Sequence, residues 1–198
     1  MLIALTRQGS AAAAPATAAG APSSDEMLVA RIAGGDRLAM QTLFARYRTP
    51  VYRWLLRLVG NETVAEDLLS DVFLDVWRQA GRFQARSAVS TWLLAIARFK
   101  ALSARRSRKN AELDEAIEAT VADSADNPEV VLQKKSRDQF VRTALTTLSP
   151  EHREIIDLVY YHDKSVDECA QILGVPSGTV KTRMFYARKK LAEMVQAA

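Results

Sequence analysis

The stretch from Ser165 to Lys181 constrains the fold most, because its spacing describes two helices packed across a tight turn. Ser165 is placed to cap the first helix, and Glu168 follows three residues later to complete a capping box. Gly174 supplies a backbone geometry that residues with a Cβ resist. Pro176 then restarts the chain as a new helix. The spacing therefore predicts a helix-turn-helix.

The second helix of this motif is basic. No acidic residue occurs between Glu168 and Glu193, whereas the same stretch contains five basic ones: Lys181, Arg183, Arg188, Lys189 and Lys190. An inward-facing apolar row is formed by Val180, Met184 and Leu191. A helix-turn-helix with a basic second helix is suited to enter the major groove of DNA.

Composition excludes several classes of protein. At 198 residues, 48% of them hydrophobic, the chain has room for one domain or two small ones. Its single cysteine, Cys169, excludes an internal disulfide and a cysteine-rich metal site. The two histidines, His152 and His162, are expected to be surface residues. We therefore predict no catalytic residues, no metal site and no cofactor.

The chain divides by composition into four segments. Residues 1–24 are rich in alanine and are interpreted as a disordered tail or as the product of a start codon placed too early. Residues 25–109 and 136–198 carry helical patterns, and residues 110–135 form an acidic linker, so the predicted fold is all-α with two small helical domains. No apolar run approaches the roughly 18–20 residues of a membrane span. With no basic segment before the short apolar patch of the tail, a cytoplasmic protein is expected.

Two helices of the first domain can be located from the pattern. One begins after an N-cap at Asn61 and runs to about Arg78, with a wide apolar stripe that contains Val64, Leu68, Leu69, Val72, Phe73, Val76 and Trp77. The other begins near Ser90 and runs into the stretch Arg98–Lys109, which has six basic residues and no acidic one. This basic stretch indicates contacts with phosphates, or else a solvated surface.

Three segments in this order resemble the extracytoplasmic-function (ECF) sigma factors of the bacterial sigma-70 family. Ala65–Trp77 is similar to the family's core-polymerase-binding helix. Ser90–Arg98 is similar to its promoter-melting region, and Leu173–Arg183 resembles its −35-reading turn. The resemblance implies a protein that binds core RNA polymerase and promoter DNA, carries out no covalent chemistry and is controlled by an anti-sigma factor.

The resemblance also implies roles for individual residues. The polymerase-binding residues would be Glu66, Asp67, Asp71 and Asp75. The −10 element would be contacted by Trp92, Arg98, Phe99, Lys100, Arg105 and Arg106. The −35 element would be contacted by Ser177, Thr179, Lys181, Thr182, Arg183, Phe185, Tyr186 and Arg188. Of these last, Lys181, Thr182, Phe185 and Tyr186 are predicted near base edges, with Arg183 and Arg188 near phosphates.

Two positions depart from the family pattern. Phe99 stands at a place assigned to a loop where a polar residue, often Asn, is common, so it either stacks on a base or belongs to the core. Tyr186 stands where arginine is frequent, and a tyrosine hydroxyl makes one hydrogen bond where a guanidinium grips guanine with two. We therefore expect promoter preferences that differ from those of relatives.

Alternatives remain from the residues alone. The acidic surface of the helix that begins after Asn61 could simply be solvated. Phe73 and Trp77 of the same helix are expected in the core. The acidic linker could be an inert spacer, or it could thread a basic channel of the polymerase. A sigma-like decoy that titrates an anti-sigma factor would need no DNA-reading charge. A helix-turn-helix repressor would leave the first domain unexplained. An enzyme is the least favoured alternative, because the sequence contains no recognisable catalytic triad or phosphate-binding loop.

Overall fold

The structure, a computed structural model, describes residues 24–115 and 147–196, which contain seven α-helices and no strand. The first domain comprises α1 (Ser24–Ala33), α2 (Arg37–Val59), α3 (Glu62–Gln79) and α4 (Val89–Glu115). The second comprises α5 (Pro150–Tyr160), α6 (Val166–Leu173) and α7 (Ser177–Gln196). The prediction of an all-α protein with two small helical domains is confirmed. The predicted tail, apart from Ser24, and residues 116–135 of the predicted linker lie outside the described residues.

Helix ends in the first domain follow from local chemistry. Asp36 begins α2, because its Oδ1 accepts hydrogen bonds from the backbone N–H groups of Leu38 (2.9 Å) and Ala39 (3.0 Å). Gly60 ends that helix with a left-handed φ of 70°. Asn61 then caps α3 by accepting from the N–H of Val64 at 3.0 Å, as its position in the sequence predicted.

The core of the first domain lies between α2, α3 and α4, with α1 packed across one end. Trp54 is fully buried at its centre, and its indole N–H donates to the carbonyl oxygen of Leu94 on α4 at 3.3 Å. The predicted stripe of α3 faces this core, with Phe73 buried as expected and Trp77 only partly buried. At the other end of the domain, α4 continues through Glu115 and so includes the first residues of the segment predicted as linker.

The second domain contains the predicted helix-turn-helix. Ser165 and Glu168 form the capping box at the start of α6, each bonding to the backbone N–H of the other. Gly174 ends α6 at a φ of 66°, and α7 begins at Ser177. The inward row packs the two helices together, with Val180 fully buried. Ser149 caps α5 ahead of Pro150, also as predicted.

The two domains pack against each other, chiefly through α4 and α6. This contact was not predicted. It matters for function because α4 carries the basic stretch of the first domain and α6 is the first helix of the turn motif.

The two glycines of the turn motif provide a matched test of the fold. Gly174 has a left-handed φ, so Gly174→Ala is expected to lower the free energy of unfolding by about 1 kcal/mol. Gly178 lies in the first turn of α7 with open space around it, so Gly178→Ala should leave stability unchanged or raise it by up to about 1 kcal/mol. Urea denaturation of both variants measures the difference. Equal stabilities would contradict the assigned turn.

Candidate functional site

One face of α7 is free of the protein core and carries cations and aromatic rings. Its opposite face is buried through Val180, Met184 and Ala187. The free face exposes Phe185 (63%), Tyr186 (53%), Lys181 and Thr182. The two rings pack edge to face, with centroids 5.4 Å apart. Four of the residues predicted at the −35 element are therefore brought together on one surface.

The other predicted −35 residues lie around this surface, and they are hydrogen-bonded within the protein or partly buried. Ser177 donates its hydroxyl to Asp167 at 3.1 Å. Arg188 is exposed, and its Nε donates to the hydroxyl of Tyr160 on α5 at 3.1 Å. Thr179 and Arg183 are partly buried. The sequence reasoning missed Tyr160, which fixes the direction of Arg188.

Some of the predicted −10 residues are exposed on α4, whereas others are partly buried or paired within the protein. Phe99 is 72% exposed, which excludes the core alternative. It lies within helix α4, so the expectation that this position belongs to a loop was wrong. Arg105 and Arg106 are exposed on the same helix. Trp92 is partly buried against Phe83, with ring centroids 4.9 Å apart.

Arg98 and Lys100 are paired within the protein. Arg98 donates from Nε to Glu154 of α5 at 3.0 Å and from a terminal nitrogen to the carbonyl oxygen of Leu173 at 3.3 Å. Its side chain is only 20% exposed. The carbonyl belongs to the last residue of α6, where the helix dipole favours a cation. Lys100 contacts Asp75 at 2.8 Å.

The predicted polymerase-binding residues differ in their exposure to solvent. Glu66, Asp67 and Asp71 are exposed on α3, and Leu74 beside them is 45% exposed. Asp75 is partly buried by its contact with Lys100. An exposed acidic surface with one apolar residue is therefore supplied by α3, and Asp75 stands at its edge.

The start of α4 is bonded to the turn motif by residues that sequence reasoning did not single out for this contact. Thr91 donates to Glu168 Oε1 at 2.6 Å, and Lys164 donates to Ser90 at 2.6 Å and to Glu168 at 3.1 Å. Burial acts to raise the pKa of Glu168, but the hydrogen bonds from Thr91, from the N–H of Ser165 and from Lys164 outweigh it and lower the pKa to about 2. Glu168 is therefore an anion at neutral pH.

A second group of charges joins α2 to α5. Arg57 forms an ion pair with Asp157 and lies 4.0 Å from the ring centroid of Tyr161. Burial raises the pKa of Asp157 to about 7, although Arg57 opposes the shift. His162 is partly buried against Trp54, and burial lowers its pKa to about 4, so its expected place on the surface was wrong.

The described part of the chain has neither a metal-binding cluster nor a membrane-spanning helix. Within residues 24–115 and 147–196, no three His, Cys, Asp or Glu side chains are placed to hold a metal ion. None of the helices in these ranges has the length and apolar character that crossing a membrane requires.

Comparison with known proteins matches each of the two domains to a family model. The models of Sigma-70 region 2 and Sigma-70 region 4 match residues 43–111 and 141–191. The chain is 30% identical to the RNA polymerase sigma factor CarQ of Myxococcus xanthus over 165 residues, 83% of this chain and 94% of CarQ. It is 31% identical to the ECF RNA polymerase sigma-E factor of Escherichia coli over 182 residues, 87% of this chain and 95% of that protein.

Two solved structures share the fold. The structure of CnrH in complex with the cytosolic domain of CnrY has a TM-score of 0.63 at 25% identity and covers 87% of this chain and 97% of that one. The sigma factor RpoE in complex with the anti-sigma factor NepR from Bartonella quintana has a TM-score of 0.62 at 26% identity and covers 79% and 96%. The turn motif, the two matched regions and the extent of the identity together place this chain in the ECF group of the sigma-70 family of sigma factors.

Proposed function

We propose that this protein binds core RNA polymerase and directs it to specific promoters. Residues 25–109 would bind the polymerase and the −10 element, and residues 136–198 would read the −35 element. The observation that carries the proposal is the exposed face of α7, where Lys181, Phe185 and Tyr186 stand free on a helix whose other side is buried.

The α7 surface fits the major groove. Lys181, Thr182 and Tyr186 supply groups that hydrogen-bond to base edges, and Phe185 supplies apolar contact for a thymine methyl group. Arg183 and Arg188 lie at the sides, where phosphates would run. Since Tyr186 makes a single hydrogen bond, the −35 preference should depend more on its neighbours than in relatives with arginine there.

The α4 surface fits the −10 element and its opening. Phe99 leaves an aromatic ring in water, and stacking a base on such a ring contributes roughly 1–3 kcal/mol. That is comparable with the few kcal/mol needed to unstack a base. Arg105 and Arg106 would hold the phosphates alongside. Capture of an unpaired base, rather than covalent chemistry, would then drive melting.

The α3 surface fits a basic partner. Glu66, Asp67 and Asp71 present three carboxylates on α3 ahead of the exposed Leu74, and an apolar centre with a polar rim is the usual anatomy of a protein interface. Charge complementarity would mainly set the rate and orientation of docking on core polymerase. Asp75 would contribute less, because Lys100 already neutralises it.

Control by an anti-sigma factor is part of the proposal. One structural relative is a sigma factor in complex with an anti-sigma factor. The alternative is a decoy that binds such an inhibitor without directing transcription. The exposed cations of α7 favour the first function, because a decoy has no use for them.

Run-off transcription tests the proposed function. Purified core polymerase from the source bacterium is supplied with sheared genomic DNA, with and without the protein. We expect defined transcripts that require the protein, and their start sites would give both promoter elements. Absence of transcripts, together with tight binding of an anti-sigma factor, would establish the decoy instead.

The contribution of α7 is tested at Lys181. Once a promoter is known, Lys181→Gln should weaken binding of the holoenzyme to it and reduce the slope of log affinity against log salt by about 1 if the ammonium contacts a phosphate. A base contact would instead cost about 1–3 kcal/mol with altered sequence preference. Arg31→Gln, an exposed cation on α1 paired with Asp36, is the control and should change neither. Identical behaviour of the two variants would remove Lys181 from the DNA interface.

A further inference from the structure

Tyr160, the last residue of α5, lies beside the exposed face of α7 although it precedes the turn motif in the chain. The residue is 56% exposed. Its hydroxyl oxygen accepts a hydrogen bond from Nε of Arg188 at 3.1 Å. The guanidinium carbon of Arg188 also lies 5.8 Å from the centroid of the tyrosine ring, near the outer limit of about 6 Å for a cation–π contact. The contact therefore links α5 to a cation on the second helix of the turn motif.

The backbone on both sides of this contact is fixed by the core of the second domain. Leu158, two residues before Tyr160, and Ala187, the residue before Arg188, are both fully buried. Only the side-chain torsions of the pair remain to be set. An arginine side chain has a large rotamer entropy, which it loses when it binds a ligand. The hydrogen bond to Tyr160 removes part of that entropy before a ligand arrives, so it lowers the cost of binding.

The hydrogen bond leaves suitable groups for an anion. Because Arg188 donates from Nε, its terminal nitrogens Nη1 and Nη2 retain their N–H groups for another acceptor. The Tyr160 hydroxyl accepts this bond and still has its own hydrogen to donate. A hydroxyl that accepts from a cation becomes a stronger donor, since hydrogen bonds in a chain polarise one another. A positive charge with donors on both partners suits a phosphate group.

The position of the pair suits the DNA backbone better than the bases. Arg188 follows Lys181 by seven residues, which is about two helical turns, so both side chains project from the same side of α7. Tyr160 extends this side of α7 onto α5. Under the proposed function, the phosphates of one DNA strand run along it. Phosphate contacts of this kind fix the register of a protein on DNA without reading its sequence.

We propose that Tyr160 and Arg188 form a clamp for one phosphate of the promoter backbone. Tyr160 positions the guanidinium and donates its own hydroxyl hydrogen to the same phosphate. The inference rests on the proposed function for the identity of DNA as the ligand, and it adds a DNA-contacting residue outside the turn motif. A purely structural role explains the pair less well. Helices α5 and α7 are already packed through buried faces, and an exposed hydrogen bond adds little to stability.

The test compares Tyr160→Phe, Arg188→Gln and the double variant in the full chain. The probe is a labelled mixed-sequence duplex of about 20 base pairs, two turns of DNA, and binding is followed by fluorescence anisotropy over a range of salt concentrations. Tyr160→Phe keeps the ring and should weaken binding about threefold, within the range for one hydrogen bond. Arg188→Gln should weaken it about tenfold and reduce the slope of log affinity against log salt by about 1.

The double variant measures the coupling between the two side chains. It should bind the duplex no more weakly than Arg188→Gln alone, because the hydroxyl is held in place by the guanidinium. A second duplex of different sequence should show the same fold-changes, since a phosphate contact does not depend on the bases. Thermal denaturation of Tyr160→Phe should give an unchanged Tm.

Matched controls separate the clamp from general effects of the substitutions. Tyr161 is the next residue, is 54% exposed and contacts Arg57 through its ring at 4.0 Å. Tyr161→Phe removes the same hydroxyl group and should leave the affinity and the salt slope unchanged. Arg31→Gln removes the same charge as Arg188→Gln from an exposed pair on α1. It should change the affinity for the duplex much less than Arg188→Gln does.

The outcomes distinguish the clamp from the proposed function. Multiplicative effects in the double variant, unchanged binding by Tyr160→Phe, or equal weakening by Tyr161→Phe would overturn the clamp. A lower Tm of Tyr160→Phe with unchanged DNA binding, or no salt-dependent binding of the duplex by the wild-type chain, would also overturn it. Run-off transcription by the wild-type protein tests the proposed function separately, and it can succeed while the clamp fails. If transcription is absent although the coupling is observed, the phosphate clamp stands and the proposed function falls.

Discussion

One carboxylate, that of Glu168, joins the helix-turn-helix to the rest of the protein. It caps α6 through the N–H of Ser165 and accepts hydrogen bonds from Lys164 of its own domain and from Thr91 of α4. The group that starts the first helix of the turn motif therefore also fixes where that motif sits on the first domain. With Arg98 bound at the other end of α6, the helix is attached to α4 at both termini, and the position of α7 relative to α4 depends on these attachments.

The three surfaces consequently differ in availability. The α7 face and the acidic part of α3 are open to partners, whereas part of the α4 surface is shared with the second domain. Phe99 is exposed on α4 while its neighbour Arg98 is engaged. Under the proposed function, DNA that contacts Arg98 would have to displace Glu154 and the carbonyl oxygen of Leu173 from it.

The features predicted from the sequence are those set by neighbouring residues. Caps at Asn61, Ser149 and Ser165 and the turn at Gly174 are local, because each cap bonds to a backbone group a few residues away. The contacts between domains join residues as far apart as Arg57 and Asp157, and periodicity carries no information on such pairs. His162 looked like a surface residue and Arg98 like a free cation for that reason. The sequence did carry a signal for this contact, because Glu154 and Asp157 both lie among the buried apolar residues of α5.

The contact between α4 and α6 holds the two domains together in the free protein. Spin labels at Ala45→Cys and Ala192→Cys, both exposed positions, measure the separation by electron paramagnetic resonance. Cys169 should not be labelled, because it is buried and burial raises its pKa to about 11. We expect one short, narrow distance distribution in the free protein and a longer one after core polymerase is added. A broad distribution in the free protein, or the same short distance with polymerase bound, would contradict the account.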